Sequence, residues 1–338
     1  MPDLCVIEGD GIGREVIPAA VSVLRAAVSE LHILPAEAGW ECFQHRGVSV
    51  PPETLQAVRG CRAALFGAVS SPSHKVEGYR SAILTLRQEL DLYANLRPVR
   101  SLPRLSPRSD VDLLIVRENT EGLYSGRERL EGDTAVAERV ITRRASTRIG
   151  RAACELARSC GVTRLTIVHK ANILPLTDGL FRDSVREVVR ETGVESGGIS
   201  VDELLVDTAA NQLVSQPQRF GVLVTTNLFG DILSDLAAHW CGGMGLAPSL
   251  NLGEGIALAE PVHGSAPDIA GKGIANPIAT VLSAALLVRH AWKQPHIADR
   301  IESAVRSALE CDLPVVEGSL APDLTTDAVT RAILARLM

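Results

Sequence analysis

The sequence predicts an α/β protein in which strands and helices alternate along the chain and helices cover a largely parallel or mixed sheet. Three observations carry this prediction. Short apolar, β-rich runs recur at residues 4–8, 63–69, 111–116, 165–168, 201–206 and 222–226. Segments with apolar residues at helical spacing lie among them, at residues 15–30, 83–92, 145–158 and 179–191. The 338 residues are 46 % hydrophobic and 22 % charged, enough apolar material for a sizeable core.

Taken in order, residues 4–8 form a short strand that breaks at GDGIG, Gly9 to Gly13, and a helix comes next. Strand, glycine turn and helix make an α/β opening. Residues 63–69 read as a second buried strand, ended by Ser-Ser-Pro. A helix is expected over 83–92, and Pro98 stops the segment beyond that helix. The remaining strands alternate with the two clearest helices. Gly and Pro cluster at 242–255 and 261–277, which predicts loops over a scaffold. No internal repeat, low-complexity tract or compositional linker stands out. Aromatic residues are only 3 %, so Ala, Val, Ile and Leu must do the packing.

Charge and cysteine usage exclude several classes. Lys plus Arg total 34 and Asp plus Glu total 40, a formal charge of −6. A mildly acidic chain argues against bulk binding to nucleic acid or to an anionic membrane. No apolar run approaches the ~20 residues that span a bilayer. The N-terminus meets Asp3, Glu8 and Asp10 at once and has no signal-peptide core. The seven cysteines are odd in number, and no CxxC or Cys/His pair is expected at metal-ligand spacing. Reduced thiols in a cytoplasmic protein are the expectation.

Four constellations can carry chemistry. In NLFGDILSDL, Asp231 and Asp235 stand four apart and share one helix face. Two such carboxylates repel unless a cation or solvent separates them. With no Lys or Arg nearby in sequence, a hard divalent ion is favoured, Mg²⁺ or Mn²⁺. Leu228, Phe229, Ile232, Leu233 and Leu236 suggest that this helix is buried; two solvated carboxylates are the alternative. Arg87, Arg97 and Arg117 lie at the ends of buried elements and need anionic partners. A di- or tricarboxylate can supply them, as can Glu89, Asp91 or Glu118. In HKANIL, Lys170 follows a strand, where partial burial lowers a lysine pKa and suits a general base. Tyr124 in RENTEGLY is a candidate acid partner. In EPVHGSAPDIAGKGIANP, small residues allow close backbone approach to a flat ligand or phosphates. Asp268 there suits ribose hydroxyls and would repel a 2′-phosphate. GDGIG is not GxGxxG, so no Rossmann site is assigned.

Together these segments resemble the β-decarboxylating dehydrogenases: isocitrate, homoisocitrate, 3-isopropylmalate and tartrate/D-malate dehydrogenases. The resemblance runs from IEGDGIG at Ile7 to PDLTT at Pro322, and VHGSAPDIAGKGIANP and NLFGDILSDL are specific to that family. It implies an isocitrate/isopropylmalate dehydrogenase-like fold, two α/β domains around a central cleft, not a Rossmann dinucleotide fold. The large domain would comprise residues 1–98 and 254–338; the small domain, 99–253, would form the interface of a homodimer with shared active sites. A tetramer stays open.

The resemblance also assigns roles. Arg87, Arg97 and Arg117 would clamp the malate carboxylates. Tyr124 and Lys170 would be the acid–base pair, with Lys170 reaching into the partner subunit's site. Asn172 would touch substrate and cofactor, and Ser71 would touch substrate beside the nicotinamide. Asp207, Asp231 and Asp235 would bind Mg²⁺ or Mn²⁺ across the dimer interface. His263, Gly264, Ser265, Ala266, Pro267, Asp268, Ile269 and Asn276 would hold the adenosine of the cofactor. Asp268–Ile269 replaces the Lys–Tyr pair of NADP users, which implies NAD. The implied reaction oxidises the C2 hydroxyl by hydride transfer to NAD⁺. The β-keto acid then loses CO₂, and Tyr124, backed by Lys170, reprotonates C3.

Substrate signals diverge. RENTEG and HKAN resemble isocitrate and homoisocitrate enzymes, and residues 127–158 resemble homoisocitrate dehydrogenase. The helix YRSAILTLR, Tyr79 to Arg87, departs from that pattern. Ile83 and Leu84 resemble the Leu pair that packs the isopropyl group in 3-isopropylmalate enzymes. An apolar pocket binds a carboxylate poorly, so Arg80 or His74 would have to supply the missing cation. Homoisocitrate or isocitrate is the expected substrate; 3-isopropylmalate is the alternative, with tartrate or D-malate behind it.

Overall fold

A computed structural model of the chain describes residues 2–74 and 76–337. The strands run β1 (Asp3–Gly9), β2 (His32–Ala36), β3 (Ala63–Ala68), β4 (Ala94–Arg100), β5 (Asp112–Glu118), β6 (Glu128–Glu131), β7 (Thr134–Ala137), β8 (Arg164–His169), β9 (Ser200–Leu205), β10 (Val222–Thr225), β11 (Pro248–Leu252) and β12 (Ala257–Pro261). The helices are α1 (Gly13–Ala27), α2 (Trp40–Arg46), α3 (Pro52–Cys61), α4 (Ala82–Glu89), α5 (Arg143–Ser159), α6 (Thr177–Thr192), α7 (Val206–Ser215), α8 (Asn227–Ala237), α9 (Ile278–His290), α10 (Pro295–Cys311) and α11 (Thr326–Leu337). The mixed α/β class agrees with the sequence expectation.

The chain divides into two compact units. Unit 1 comprises Met1–Leu92, Ser101–Ser109 and His239–Met338; unit 2 comprises Tyr93–Arg100 and Asp110–Ala238. These limits differ from the expected domain limits of 98/99 and 253/254 because β4 pairs with β5 inside unit 2 and β11 pairs with β12 inside unit 1.

In unit 1 the strand order is β2-β1-β3-β12-β11, parallel except for the β11–β12 pair. Strand β3 is buried at all six positions, as a strand covered on both faces must be. Cys5, Ile7, Phe66, Leu86, Leu92 and Leu258 belong to one core cluster, which excludes water on that side of the sheet. In unit 2 the order is β4-β5-β10-β8-β9, with β4–β5 antiparallel and the rest parallel. Strands β6 and β7 form a separate exposed hairpin.

Two local readings are corrected. Residues 94–100 form a strand with Pro98 inside it, not a stop. Pro98 faces Leu114, whose amide donates to Gly221 O at 2.8 Å, away from β4. At that non-hydrogen-bonded pair the ladder to β5 needs no amide from Pro98. The Gly- and Pro-rich stretch 242–255 contains strand β11, so it is not all loop. Residues 262–277 contain no helix or strand, as expected.

GDGIG has a packing role. A Cβ on Gly9 would stand 1.9 Å from Ala68 O, and one on Gly11 would stand 2.2 Å from Ser265 O. Both glycines also hold positive φ, where glycine alone is unstrained. The turn therefore lets Ile12 N donate to Ser265 O at 2.9 Å. Beside it, the buried Asp10 carboxylate accepts Trp40 N and Ser70 N at 2.8 Å each and Glu41 N at 3.0 Å. One side chain thus joins the start of α2, the end of β1 and the loop after β3. The described cysteines are all free thiols. Among the described residues no helix is long and apolar enough to cross a membrane.

Candidate active site

Unit 2 gathers most of the expected residues around the start of α8. Arg117 ends β5 and is 1 % exposed. A guanidinium so buried needs several acceptors. Its Nε and Nη2 donate to Asn227 Oδ1 at 3.1 and 2.7 Å, and its Nη1 bonds Asp231. Gly230 makes this possible, because a Cβ there would stand 2.6 Å from Arg117 Cγ. Arg97, on β4, donates from Nη1 to Asp235 Oδ1 at 2.9 Å and to Ser234 Oγ at 2.7 Å; its Nη2 stands 3.4 Å from Asp231 Oδ1.

These contacts correct two expectations. Asp231 and Asp235 do have cationic neighbours, supplied by strands more than a hundred residues away in sequence. The α8 helix is also not wholly buried: Leu233 is 0 % exposed, whereas Ile232 is 57 % and Leu236 37 %. The carboxylates that Arg97 and Arg117 meet are thus those of α8. Glu118, a neighbour in sequence, accepts Thr120 N at 3.0 Å and Glu121 N at 3.0 Å, bracing the RENTEG loop on itself.

Tyr124 sits on a 3-10 turn, Leu123–Ser125. Its hydroxyl donates to Asp231 Oδ2 at 2.6 Å, and the Arg117 guanidinium carbon lies 5.2 Å from its ring centroid. Burial raises its pKa first, and the bond to Asp231 and its charge raise it further. The phenol therefore keeps its proton at neutral pH, as a general acid must. Asp235 is also shifted upward, by burial first, with the Asp231 charge adding and Arg97 opposing.

A second group forms around Lys170. Lys170 Nζ bonds Asp207, whose carboxyl is held below its usual range by that hydrogen bond. The Lys170 amide donates to Asp178 Oδ1 at 2.9 Å, and Asp178, fully buried, pairs with Arg139 at 3.1 Å. Asn172 is exposed. Among the described residues the one set of three metal-ligating side chains within 4.8 Å of one another is Glu37, Cys42 and His45. Asp207 therefore does not join Asp231 and Asp235 within a single chain.

Unit 1 holds the other expected residues. Arg87 on α4 is 7 % exposed and donates to Glu260 Oε1 at 2.6 Å; its Nε is buried without an acceptor among the described residues. Ile83 packs on the unit 1 core cluster and, like Leu84, is half-buried. Arg80 is exposed and donates to the neutral Gln88 Oε1 at 2.6 Å. Ser71, exposed, borders a cavity of about 790 Å³ with His74 and Tyr79.

In the loop after β12, His263 Nε2 is buried without a hydrogen-bond partner among the described residues, while Nδ1 meets Gly264 O at 3.0 Å. Burial lowers the His263 pKa, so the ring is neutral at pH 7. Gly264 has open space where a Cβ would be, and Pro267 and Asp268 are exposed. Other expected cofactor residues support the loop itself. Ser265 accepts from Ser70 Oγ at 2.8 Å. Ala266 and Ile269 pack against Ile12, Val16 and Ala275. Asn276 Oδ1 accepts Ile278 N at 3.0 Å, a local turn that leads into α9. Sequence reasoning missed Glu15, which accepts Gly271 N at 2.7 Å and Ala275 N at 3.3 Å and ties the loop to α1. It also missed Asp10, Asp178 and Gly230. An acidic residue in the first turn of α1 was the one available signal for Glu15.

A protonated phenol on a carboxylate, beside buried guanidinium groups, is equipment for binding an organic acid and moving a proton on it. Comparison with known proteins agrees. The profile described as isocitrate/isopropylmalate dehydrogenase matches residues 3–334. The isocitrate/homoisocitrate dehydrogenase of Thermus thermophilus is 54 % identical over 97 % of this chain and 95 % of its own. The 3-isopropylmalate dehydrogenase of Methanothermobacter thermautotrophicus is 48 % identical over 95 % of this chain and 93 % of its own. The crystal structure of isocitrate dehydrogenase from Methylococcus capsulatus has a TM-score of 0.92 at 44 % identity, covering 100 % of this chain and 99 % of that one.

The chain belongs to the isocitrate/isopropylmalate dehydrogenase family. It is an oxidoreductase, a decarboxylating dehydrogenase of hydroxy acids.

Proposed function

We propose that the enzyme catalyses NAD-dependent, Mg²⁺- or Mn²⁺-dependent oxidative decarboxylation of a 3-substituted (R)-malate, with homoisocitrate or isocitrate as substrate. The observation that carries this reading is the Tyr124 hydroxyl on Asp231, flanked by Arg117. It joins a proton donor, a carboxylate and an anion-binding group at one place. Arg87, Arg97 and Arg117 hold the substrate carboxylates, exchanging their present partners for them. Tyr124 gives its proton to C3 after CO₂ has left, and Lys170 supports that transfer as the second member of the acid–base pair.

The donor set fits the implied groups. Asp207, Asp231 and Asp235 offer only carboxylate oxygens, which suit a hard divalent cation. Burial first, and then the charge of Asp231, raise the Asp235 pKa, and a bound cation would offset the Asp231 contribution. Such an ion, when bound, polarises the substrate's C2 oxygen and stabilises the negative charge left by decarboxylation. The buried, unpartnered His263 Nε2 supports a hydrogen-bonding ligand in the 261–277 loop, and NAD⁺ there would accept the hydride. Asp268 favours NAD⁺ over NADP⁺ by repelling a 2′-phosphate. Since Asp207, Asp231 and Asp235 do not all lie within 4.8 Å of one another in one chain, a homodimer with shared sites would complete the ligand set. Exposed Ile173, Leu176, Val214 and Ile232 in unit 2 supply apolar surface for that contact.

Substrate choice rests on Arg80. Its partner is neutral, so its charge is available to a distal carboxylate. The second reading, 3-isopropylmalate, rests on the half-buried Leu84 beside Ile83. The test compares kcat/KM for NADH formation on isocitrate, homoisocitrate, 3-isopropylmalate and D-malate with Mg²⁺. A tricarboxylate should win, and Arg80→Ala should lose that preference by about tenfold or more, the cost of ~1.4 kcal/mol. A win for 3-isopropylmalate would replace the first reading with the second.

A further inference from the structure

The sequence ECFQH holds Cys42 and His45 three residues apart on α2, and this corrects the expectation that no Cys/His pair has metal spacing. The fold brings Glu37 to the same place. The candidate ligand atoms of Glu37, Cys42 and His45 all lie within 4.8 Å of one another, and His45 Nε2 stands 3.8 Å from Glu37 Oε2.

We propose that Glu37, Cys42 and His45 form a binding site for a thiophilic divalent cation of the Zn²⁺ class, separate from the carboxylate site of the proposed reaction. Tetrahedral zinc with one sulfur, one nitrogen and one oxygen ligand needs ligand–ligand distances of about 3.4–3.6 Å. From within 4.8 Å the pairs that include Cys42 must close by at most about 1.2 Å, and His45 and Glu37, at 3.8 Å, by less. The side chains of Glu37 and His45 are 64 % and 59 % exposed and can turn to do so, whereas Cys42 is buried and fixed.

The backbone beneath them is already held. Glu37 O accepts Thr54 Oγ1 at 2.7 Å, and Gly39 N donates to Ser49 O at 2.9 Å. Asp10 fixes the first turn of α2, and Gly47 ends it in the left-handed region. The triad borders a cavity of about 480 Å³ whose wall also carries Glu8, Asp10 and Glu41, with Arg14 as the opposing charge. Arg14 is already paired with Glu41, so the surplus is negative and favours a cation. The open side leaves room for a water as fourth ligand. Arg46 lies 3.6 Å from Glu37 and competes for it, but Arg46 also bonds Glu53 and keeps a partner when Glu37 turns to a metal. A cysteine needs to lose its proton to bind, so metal uptake should release one proton.

Cobalt(II) is the probe. The whole chain, reduced and held under excess Mg²⁺ to occupy carboxylate sites, is titrated with Co²⁺ without oxygen. Thiolate-to-cobalt charge-transfer absorption should saturate at one equivalent, and Zn²⁺ should abolish it. Cys42→Ser should remove the band. Outer-shell partners of metal ligands are worth about 10–100-fold in affinity and a ligand no less, so His45→Ala should weaken cobalt binding at least about tenfold. His45 is exposed, so that variant carries the test even where Cys42→Ser fails to fold. Absence of the band, its survival in Cys42→Ser, or unchanged affinity in His45→Ala would overturn the proposal. Asp207, Asp231 and Asp235 contain no sulfur, so failure of the proposed reaction would leave the band unchanged.

Discussion

Replacing Glu260 by Leu tests how far Arg87 depends on one partner. Both side chains are nearly sealed from water, at 8 % and 10 % side-chain exposure, and they meet at 2.6 Å. Removing one partner of a buried pair strands the other charge, at a cost of about 3–5 kcal/mol. Asn251 Nδ2 also loses its bond to Glu260, at 2.7 Å, but keeps Leu258 O at 3.1 Å, so its share is small. A domain of about 150–250 residues loses about 2–4 °C of melting temperature per kcal/mol, and unit 1 is of that size. Glu260→Leu should therefore melt about 6–20 °C lower by calorimetry. The double variant Arg87→Leu/Glu260→Leu should recover most of that loss, since an apolar pair strands no charge. A single variant within about 1 kcal/mol of the parent, or a double variant no more stable than the single, would refute this account of Arg87.

Other outcomes concern the site itself. Tyr124→Phe should lower kcat about 10²–10⁴-fold, the usual worth of a general acid, with a much smaller change in KM by steady-state kinetics. Asp207→Asn should raise the Mg²⁺ concentration needed for half-maximal activity, and chelation with EDTA should abolish activity of the parent reversibly. His263, with a folded pKa below its ordinary 6.5, sets a pH slope. Above pH 6.5 its contribution to stability is fully present; below it the unfolded chain binds a proton that the folded chain refuses, so stability falls with acid. His263→Asn should flatten the dependence of melting temperature on pH just below 6.5.

Elements and site were legible in different ways. The buried strands and long helices declared themselves because their apolar spacing is local, as in β3 and α5. Strand β4 did not, because Pro98 is tolerated only through its register with Leu114, a fact of pairing and not of local sequence. Asp231 and Asp235 were found from their spacing on one helix turn. Their pairing with Arg97 and Arg117 was hidden, since those arginines arrive from other strands. Asp10, Glu15 and Gly230 left no strong sign for the same reason: each acts on atoms distant in sequence. Ile269 and Asn276 read as ligand contacts from the motif, and their bracing of the loop itself was not legible, since it depends on atoms of Ile12, Val16 and Ile278. The Cys42–His45 spacing was present all along, and it gained meaning when the fold supplied Glu37.

The triple acceptance by Asp10 has a consequence for how the molecule loosens. The amides of Trp40, Glu41 and Ser70 all end on one carboxylate. Losing any one costs little while the other two hold the side chain in place. Releasing the carboxylate itself exposes all three together. Hydrogen exchange at Trp40, Glu41 and Ser70 should then report a single shared opening energy rather than three. The front of α2 and the loop carrying Ser71 would fluctuate as one cooperative piece.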